Sequence, residues 1–200
     1  MGSSKLSNFY NNKRVFITGY TGFKGTWLML LLKKWGAEVF GYSLAPNCEQ
    51  QAFHSRIVNK YSIVSTTADI RDYPTLYGAM SDARPDIVFH LAAQPLVLEG
   101  YNDPLETYST NSMGTVNVLE SCRHCSSIKS LVIVTTDKCY LNPDNGHYLT
   151  ESDSLGGDDP YSSSKAMAEL ATTAYRQSFL TQLGIGIATA RGGNVIGGGD

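Results

Sequence analysis

The sequence predicts an α/β fold, a doubly wound parallel sheet of Rossmann type, and three observations predict it. Short, β-branched apolar runs recur along the 200 residues without clean alternation, as strands covered on both faces do. Segments with helical spacing separate them. A glycine-rich turn, Gly19-Tyr20-Thr21-Gly22-Phe23-Lys24-Gly25, lies directly between the first run and the first helix. Strand and helix alternating in this way give parallel strands joined by right-handed crossovers.

Taken in order, residues 1–12 are polar and read as an N-terminal extension, and the domain proper is expected over 13–191. The first strand is 14–18 (RVFIT). A helix over 26–35 follows Gly25 and stops at Lys33, Lys34 and Gly36, a cationic last turn with a glycine after it. Strands follow at 38–44 and 63–67, with a loop over 45–59 between them. A helix over 73–83 leads to a strand at 87–90. Asp103 and Pro104 open a long helix over 104–122, whose positions Leu105, Tyr108, Ser112, Val116 and Leu119 lie along one face. A strand at 131–136 and a loop over 141–159 precede a helix that begins at Asp159 and Pro160 and runs to about Leu180. The last strand is 185–191. Both long loops follow the C-terminal end of a strand, the edge where open α/β sheets bind ligands.

Composition excludes several classes. With 42% hydrophobic and 17% charged residues and a net charge of -2, the chain can bury a core and has no general attraction for nucleic acid or an anionic membrane. The longest aliphatic run, 28–32, is far short of the ~20 residues of a membrane span, and the N-terminus lacks the apolar stretch of a secretory signal. A cytoplasmic location is expected. The cysteines Cys48, Cys122, Cys125 and Cys139 show no framework spacing and suit reduced thiols. Cys122 and Cys125 enclose His124 but lack a second pair at zinc-finger spacing, so they read as helix-end residues and no metal is expected. Trp27 and Trp35 read as helix packing, and His90, at a strand end, as a packed, hydrogen-bonded side chain.

The glycine turn carries the first chemistry. One glycine permits the tight turn, one lets a pyrophosphate approach the backbone and one lets the helix pack on the strand, while the helix N-terminus offers free N–H groups to phosphate. Thr21, Phe23 and Lys24 belong to the same cradle. No acidic residue ends the second strand, which closes Gly41-Tyr42-Ser43-Leu44, and no Arg follows at once; NAD is favoured over NADP. Asp69, beside Ile70 at the end of the third strand, is either a partner for the adenine amino group or a helix-start carboxylate.

Tyr161 and Lys165 stand four apart on one helical face, where the ammonium can favour the phenolate, and Asp159 as N-cap puts Tyr161 in the first turn, where the helix dipole acts the same way. Spacing alone proves little, since Tyr20 and Lys24 share it. Thr136, at the end of the preceding strand, supplies a second hydroxyl for the same substrate oxygen. A tyrosinate beside a nicotinamide is a suitable base for an alcohol that loses hydride.

On these residues, together with His90-Leu91-Ala92-Ala93, Asn111 and Gly114-Thr115, the chain resembles the extended short-chain dehydrogenase/reductases and, within them, the nucleotide-sugar 4,6-dehydratases. Thr21 to Trp27, Ala92-Ala93-Gln94-Pro95-Leu96-Val97, Thr136-Asp137-Lys138-Cys139-Tyr140, Leu155-Gly156-Gly157 and the string from Gly193 to Asp200 resemble the CDP-glucose 4,6-dehydratases most closely. The resemblance implies that Leu91, Ala92 and Ala93 line the cofactor, that Gln94, Thr136 and Asn194 touch the substrate, and that Asn111 holds active-site backbone or water near Lys165. It implies oxidation at C4 by Tyr161, Thr136 and Lys165, elimination of water by Asp137 and Lys138, and a 4-keto-6-deoxy sugar as product, in deoxysugar and surface-polysaccharide biosynthesis. An ammonium cannot take a proton, so Lys138 must be neutralised by burial or a nearby cation, while Asp137 must keep its proton. The helices at 104–122 and 160–180 resemble a pair that forms a four-helix homodimer interface. Leu98-Glu99 and Tyr148-Leu149-Thr150 depart from the family, which has Arg at both places in what are expected to be loops. Residues 192–200 are expected to start the loop into a smaller C-terminal substrate-binding domain, mostly absent from these 200 residues, so that the chain is expected to be a fragment inactive alone. An epimerase or reductase of the same superfamily and a noncatalytic dinucleotide sensor are the alternative readings.

Overall fold

A computed structural model of the chain describes residues 2–46, 53–56, 60–61, 63–141, 146 and 148–199, with side chains from Lys5 onward. Six strands, β1 (Arg14–Thr18), β2 (Glu38–Ser43), β3 (Val64–Thr67), β4 (Ile87–His90), β5 (Ser130–Thr136) and β6 (Gly186–Gly192), form one parallel sheet in the order β3-β2-β1-β4-β5-β6. The expected α/β class and parallel sheet are therefore present. Each strand lies within one residue of its expected bounds.

The helices are α1 (Gly2–Tyr10), α2 (Phe23–Lys34), α3 (Tyr73–Ala83), α4 (Val97–Asn102), α5 (Pro104–Tyr108), α6 (Gly114–His124) and α7 (Pro160–Tyr175). They cover the sheet on both faces. Val15 and Ile17 of β1 pack with Met29, Leu32 and Val39 on one side. Phe16 packs with Tyr42, Leu76, Met80, Leu119 and Ile133 on the other. A strand buried on both faces has no polar alternation to show, which is why these strands read as continuous apolar runs.

Strand order reverses between β1 and β4, and the crevice beyond their C-terminal ends is where a doubly wound sheet binds ligand. Buried His90 stands there as a link, as packing alone predicts. Thr18 Oγ1 accepts from the N–H groups of Leu91 and Ala92, so its proton is free for His90 Nδ1 at 2.7 Å. His90 Nε2 then donates to Thr115 Oγ1 at 3.1 Å, and Thr115 donates to the carbonyl of Asn111 at 2.7 Å. The tautomer follows from the partners. Burial, with the charge of Lys165 added, lowers the imidazole pKa to about 3.

Several expected boundaries move, each for a local reason. α2 begins at Phe23, not 26, because Gly22 is its N-cap and Gly25 falls inside its first turns. The helix expected over 104–122 is interrupted by a π-turn, Ser109–Met113, where Ser109 and Thr115 hydroxyls donate to carbonyls of the preceding turn and Asn111 is drawn sideways by Gln94. The helix from Pro160 likewise ends at Tyr175 and continues as a π-turn, Arg176–Leu180. Leu98 and Glu99 are not in a loop but in α4, whose buried Gly100 lies over Tyr161. The N-terminal extension is helical, with Tyr10 stacked on Trp35 at 5.6 Å. Trp27 does more than pack within its helix: it is 39% exposed and its indole donates to the carbonyl of Gly198 at 2.9 Å. Cys122 and Cys125 are buried free thiols at the end of α6, as read, and Cys139 is free too; Cys48 lies outside the described residues, as do parts of both long loops and Asp200. Among the described residues no cluster of His, Cys, Asp or Glu is placed to hold a metal, and no helix is long and apolar enough to cross a membrane.

Candidate active site

Between β1 and α2 the chain turns on glycines because side chains do not fit. Gly19 has φ 70°, and a Cβ there would lie 2.6 Å from the backbone N of Ala92. A Cβ on Gly25 would run into the carbonyl oxygen of Gly19 and approach Tyr20 Cα to 2.7 Å. Over Gly22, by contrast, only the carbonyl of Gly19 is within reach, at 3.4 Å, and the first turn of α2 has no side-chain cap. That leaves open space over a helix N-terminus, which suits a phosphate. Thr21 is turned inward, its hydroxyl 2.6 Å from Ser43 Oγ and donating to the carbonyl of Leu44, so it fastens the cradle to the end of β2.

On the other side of the crevice, Asp159 caps α7 by accepting from Ser162 N at 3.0 Å and Ser162 Oγ at 2.5 Å. This fixes Tyr161 and Lys165 on the buried face of the helix. Lys165 is 7% exposed and paired with no carboxylate among the described residues. Burial, and then the charge of Lys24, lowers its pKa to about 8. Two ammonium groups, neither paired with a carboxylate among the described residues, beside a capless helix N-terminus fit the pyrophosphate and ribose of a dinucleotide. Burial holds the Tyr161 phenol above its usual range and a hydrogen bond with Thr136 acts against this; the acidification expected from Lys165 is not among the causes.

Thr136 ends β5 and starts a 3₁₀ turn, Asp137–Cys139. Its hydroxyl donates to Asp137 Oδ1 at 3.1 Å and accepts from Lys138 N at 3.3 Å. Thr136, Asp137, Lys138 and Tyr161 therefore meet at one strand end. Asp137 and Lys138 are exposed, so the burial expected to prepare Lys138 for proton transfer is not provided by the described residues.

Other expected residues fall less directly. Asn111 does hold backbone: its side chain accepts from Gln94 N at 2.9 Å and donates to Gln94 O at 3.0 Å and to Ser164 Oγ at 2.9 Å. It thereby ties the start of α7 to the segment after β4. Gln94 spends its amide on Leu96 and on Thr107 Oγ1, bracing its own loop. Asn194 is exposed beyond β6. Asp69 follows the end of β3 by two residues and is not the cap of α3, a role Asp72 fills. Arg71 occupies it, donating from N, Nε and Nη2, and these bonds keep the Asp69 carboxyl below its usual range; Arg71 also pairs with Glu106. Ile70 is buried against Gly114. A groove of about 490 Å³, lined by Phe23, Trp27, Leu31, Val195 and Ile196 among others, lies on the outer side of the cradle.

Sequence reasoning missed Glu169 and Arg191. Glu169 is 2% exposed, accepts from Thr135 Oγ1 at 2.5 Å and pairs with Arg191 Nη2 at 2.9 Å. A signal existed, since Tyr161, Lys165 and Glu169 recur at intervals of four along one stripe of α7.

The family model described as GDP-mannose 4,6 dehydratase matches residues 16–194. A CDP-glucose 4,6-dehydratase of Salmonella typhimurium is 48% identical over 198 residues, 96% of this chain and 55% of that protein. The solved structure of epimerase Mth375 from Methanothermobacter thermautotrophicus has a TM-score of 0.82 at 26% identity, over 94% of this chain and 54% of the other. A UDP-glucose-4-epimerase from Stenotrophomonas maltophila with bound NAD and formylated UDP-arabinopyranose has a TM-score of 0.77 at 26% identity, over 90% and 52%. The chain thus spans about half the length of these relatives.

Proposed function

The chain belongs to the GDP-mannose 4,6 dehydratase family, and on that premise we propose that it takes part in the NAD-dependent 4,6-dehydration of a nucleotide-activated hexose, converting CDP-D-glucose to CDP-4-keto-6-deoxy-D-glucose. The observation that carries this reading is the turn after β5: Asp137 and Lys138 follow Thr136 directly, within the strand end that Tyr161 also faces. A site built for oxidation alone has no use for a second acid and base there.

The cofactor proposed is NAD, held by the backbone of Gly19, Gly22 and Gly25 and by Lys165 at its ribose. When bound it accepts hydride from C4 and returns it to C6. Tyr161, as the phenolate, removes the proton of the 4-hydroxyl, with Thr136 sharing that oxygen. The new ketone acidifies the C5–H bond. Lys138, as the free amine, takes that proton, the C5–C6 double bond forms, and Asp137 protonates the departing 6-hydroxyl, which leaves as water. The Lys138 ammonium returns a proton to C5, which completes the 4-keto-6-deoxy sugar. Asp137 and Lys138 are exposed, and on this reading the bound sugar desolvates them.

Leu105, Met113, Met167 and Leu170 are exposed apolar residues on α5, α7 and the turn between α5 and α6, which supports a homodimer packed through these helices. A cytoplasmic site of reaction goes with this reading. The test is to incubate full-length protein with CDP-, dTDP-, UDP- and GDP-hexoses, with and without added NAD+, and weigh the products. Loss of one water from CDP-glucose is expected. Inversion at C4 without loss of water would install the epimerase reading instead.

A further inference from the structure

The buried pair behind the site is not part of the chemistry above, yet its contacts converge on the residues that are. Arg191, near the end of β6, reaches three structures at once. Its Nη2 meets Glu169 Oε2 of α7 at 2.9 Å, its Nη1 donates to the carbonyl of Glu151 at 3.3 Å, and its guanidinium lies over the Tyr140 ring, 4.8 Å from the centroid. Glu169 Oε1 accepts from Thr135 at 2.5 Å. The turn that carries Asp137 and Lys138 is therefore gripped at both ends, through Thr135 before it and Tyr140 after it.

The backbone around the turn closes the same frame. Gly156 N donates to Cys139 O and Leu141 N to Ser154 O, each at 2.9 Å, so the segment that leaves the turn is laced to the segment that enters α7. Among the described residues Arg191 Nε is buried without a partner, an unsatisfied donor retained for the sake of the fork and the stack. The pairing has a second effect: Glu169 lies one helical turn from Lys165, and Arg191 takes up its charge, leaving the Lys165 ammonium uncompensated for a ligand.

We propose that Arg191 and Glu169 are positioning residues for the elimination step: a buried clamp that holds the Asp137–Cys139 turn, and with it Lys138, in register with Tyr161. Neither touches the reacting atoms. The helix start that carries Tyr161 is fixed separately, by the Asp159 cap and by Asn111 on Ser164, and only the hydroxyl's bond with Thr136 ties it to the clamped strand end, so the clamp acts on the base and acid more than on the oxidation site. This inference rests on the dehydratase reading, and its test separates the two.

Full-length Arg191→Lys, Glu169→Gln and Tyr140→Leu are compared with the parent in single turnover of CDP-glucose with NAD+. Reduced-nicotinamide absorbance follows C4 oxidation and product mass follows water loss. For Arg191→Lys, oxidation is expected within about threefold of the parent while elimination falls about 10²-fold, the loss that a displacement near 1 Å produces, so that 4-keto hexose accumulates. Tyr140→Leu, which leaves the buried ion pair intact, shifts the same ratio less and covers the case in which the others do not fold. In parallel, amide exchange at Leu141 and Gly156 is measured without substrate and is expected to quicken about tenfold, with the Tyr161–Lys165 turn unchanged. Equal losses in both steps, or unchanged exchange at Leu141 and Gly156, overturn the clamp. A parent that dehydrates no hexose overturns the function, and the exchange arm still decides the clamp.

Discussion

The two sides of the crevice are built by different means. At the β1–α2 end the working surface is backbone: Gly19 and Gly25 are there for what they lack, and the polar side chain nearest them, Thr21, is turned away to fasten the cradle. At the β5–α7 end the working surface is side chain: a hydroxyl, a phenol, a carboxylate and two lysines are set on a strand end and a helix face. Packing and function agree at the first end and oppose each other at the second, where the buried ammonium of Lys165 is useful to a ligand and costly to the fold.

The largest effect expected tests the first half of that contrast. Gly25→Ala puts a methyl group into the carbonyl of Gly19 and the backbone of Tyr20, neither of which is a flexible side-chain end. It should destabilise the protein by about 3 kcal/mol or more and abolish dinucleotide binding together with it, measured by urea unfolding and by titration with NAD+. A variant of normal stability that has lost only binding would mean that the glycine serves the ligand alone.

Lys165→Met should do the reverse. The folded pKa of Lys165 is about 8 against an ordinary 10.5, so between those values the unfolded chain binds more protons and stability rises with pH. The penalty is fully present below about pH 8 and fades as the pH approaches 10.5. Methionine removes it, so the cofactor-free variant should be more stable at neutral pH, by an amount on the order of 2–3 kcal/mol, with the advantage shrinking above pH 8. Hydride transfer from C4 should be lost in the same variant. Unfolding curves across that pH range decide it, and a variant no more stable than the parent would place Lys165 in a pair the structure does not contain.

The same contrast explains what could be read from residues alone. The cradle is a local object, three glycines at fixed spacing between a strand and a helix, and local spacing is what a sequence displays. Tyr161, Lys165 and the Asp159 cap were legible for the same reason, all lying within seven residues of one helix start. Arg191 was not, because its partners Glu169, Tyr140 and Glu151 come from three other segments, joined only once β6 pairs with β5. Nor was the pairing of Arg71 with both Asp69 and Glu106, the second of which depends on α5 arriving beside β3. The helix expected over 104–122 was right in type and missed only its π-turn, whose cause is a side-chain bond from Asn111 to Gln94, seventeen positions away.

His90 belongs to neither side; it joins them, through Thr18 of the strand that feeds the cradle and Thr115 of the helix that braces α7. The neutral ring accepts from one hydroxyl and donates to the other. Protonation would set Nδ1–H against the proton Thr18 now donates, in a buried site that also faces the charge of Lys165. The folded pKa of about 3 lies below the ordinary 6.5, so across that window the unfolded state holds the extra proton and stability falls as the pH falls. At about pH 5 the loss attributable to this one ring is about 2 kcal/mol relative to neutral pH. His90→Gln keeps a donor and an acceptor but cannot titrate. It should cost about 1 kcal/mol near neutrality and then lose about 2 kcal/mol less than the parent on going to pH 5, measured by urea unfolding at both values. If parent and variant lose stability in parallel, the acid sensitivity resides in carboxylates and the link between the two sides is not what protonation breaks. If the gap closes as expected, the cradle and α7 are held in one register by a ring that must stay uncharged.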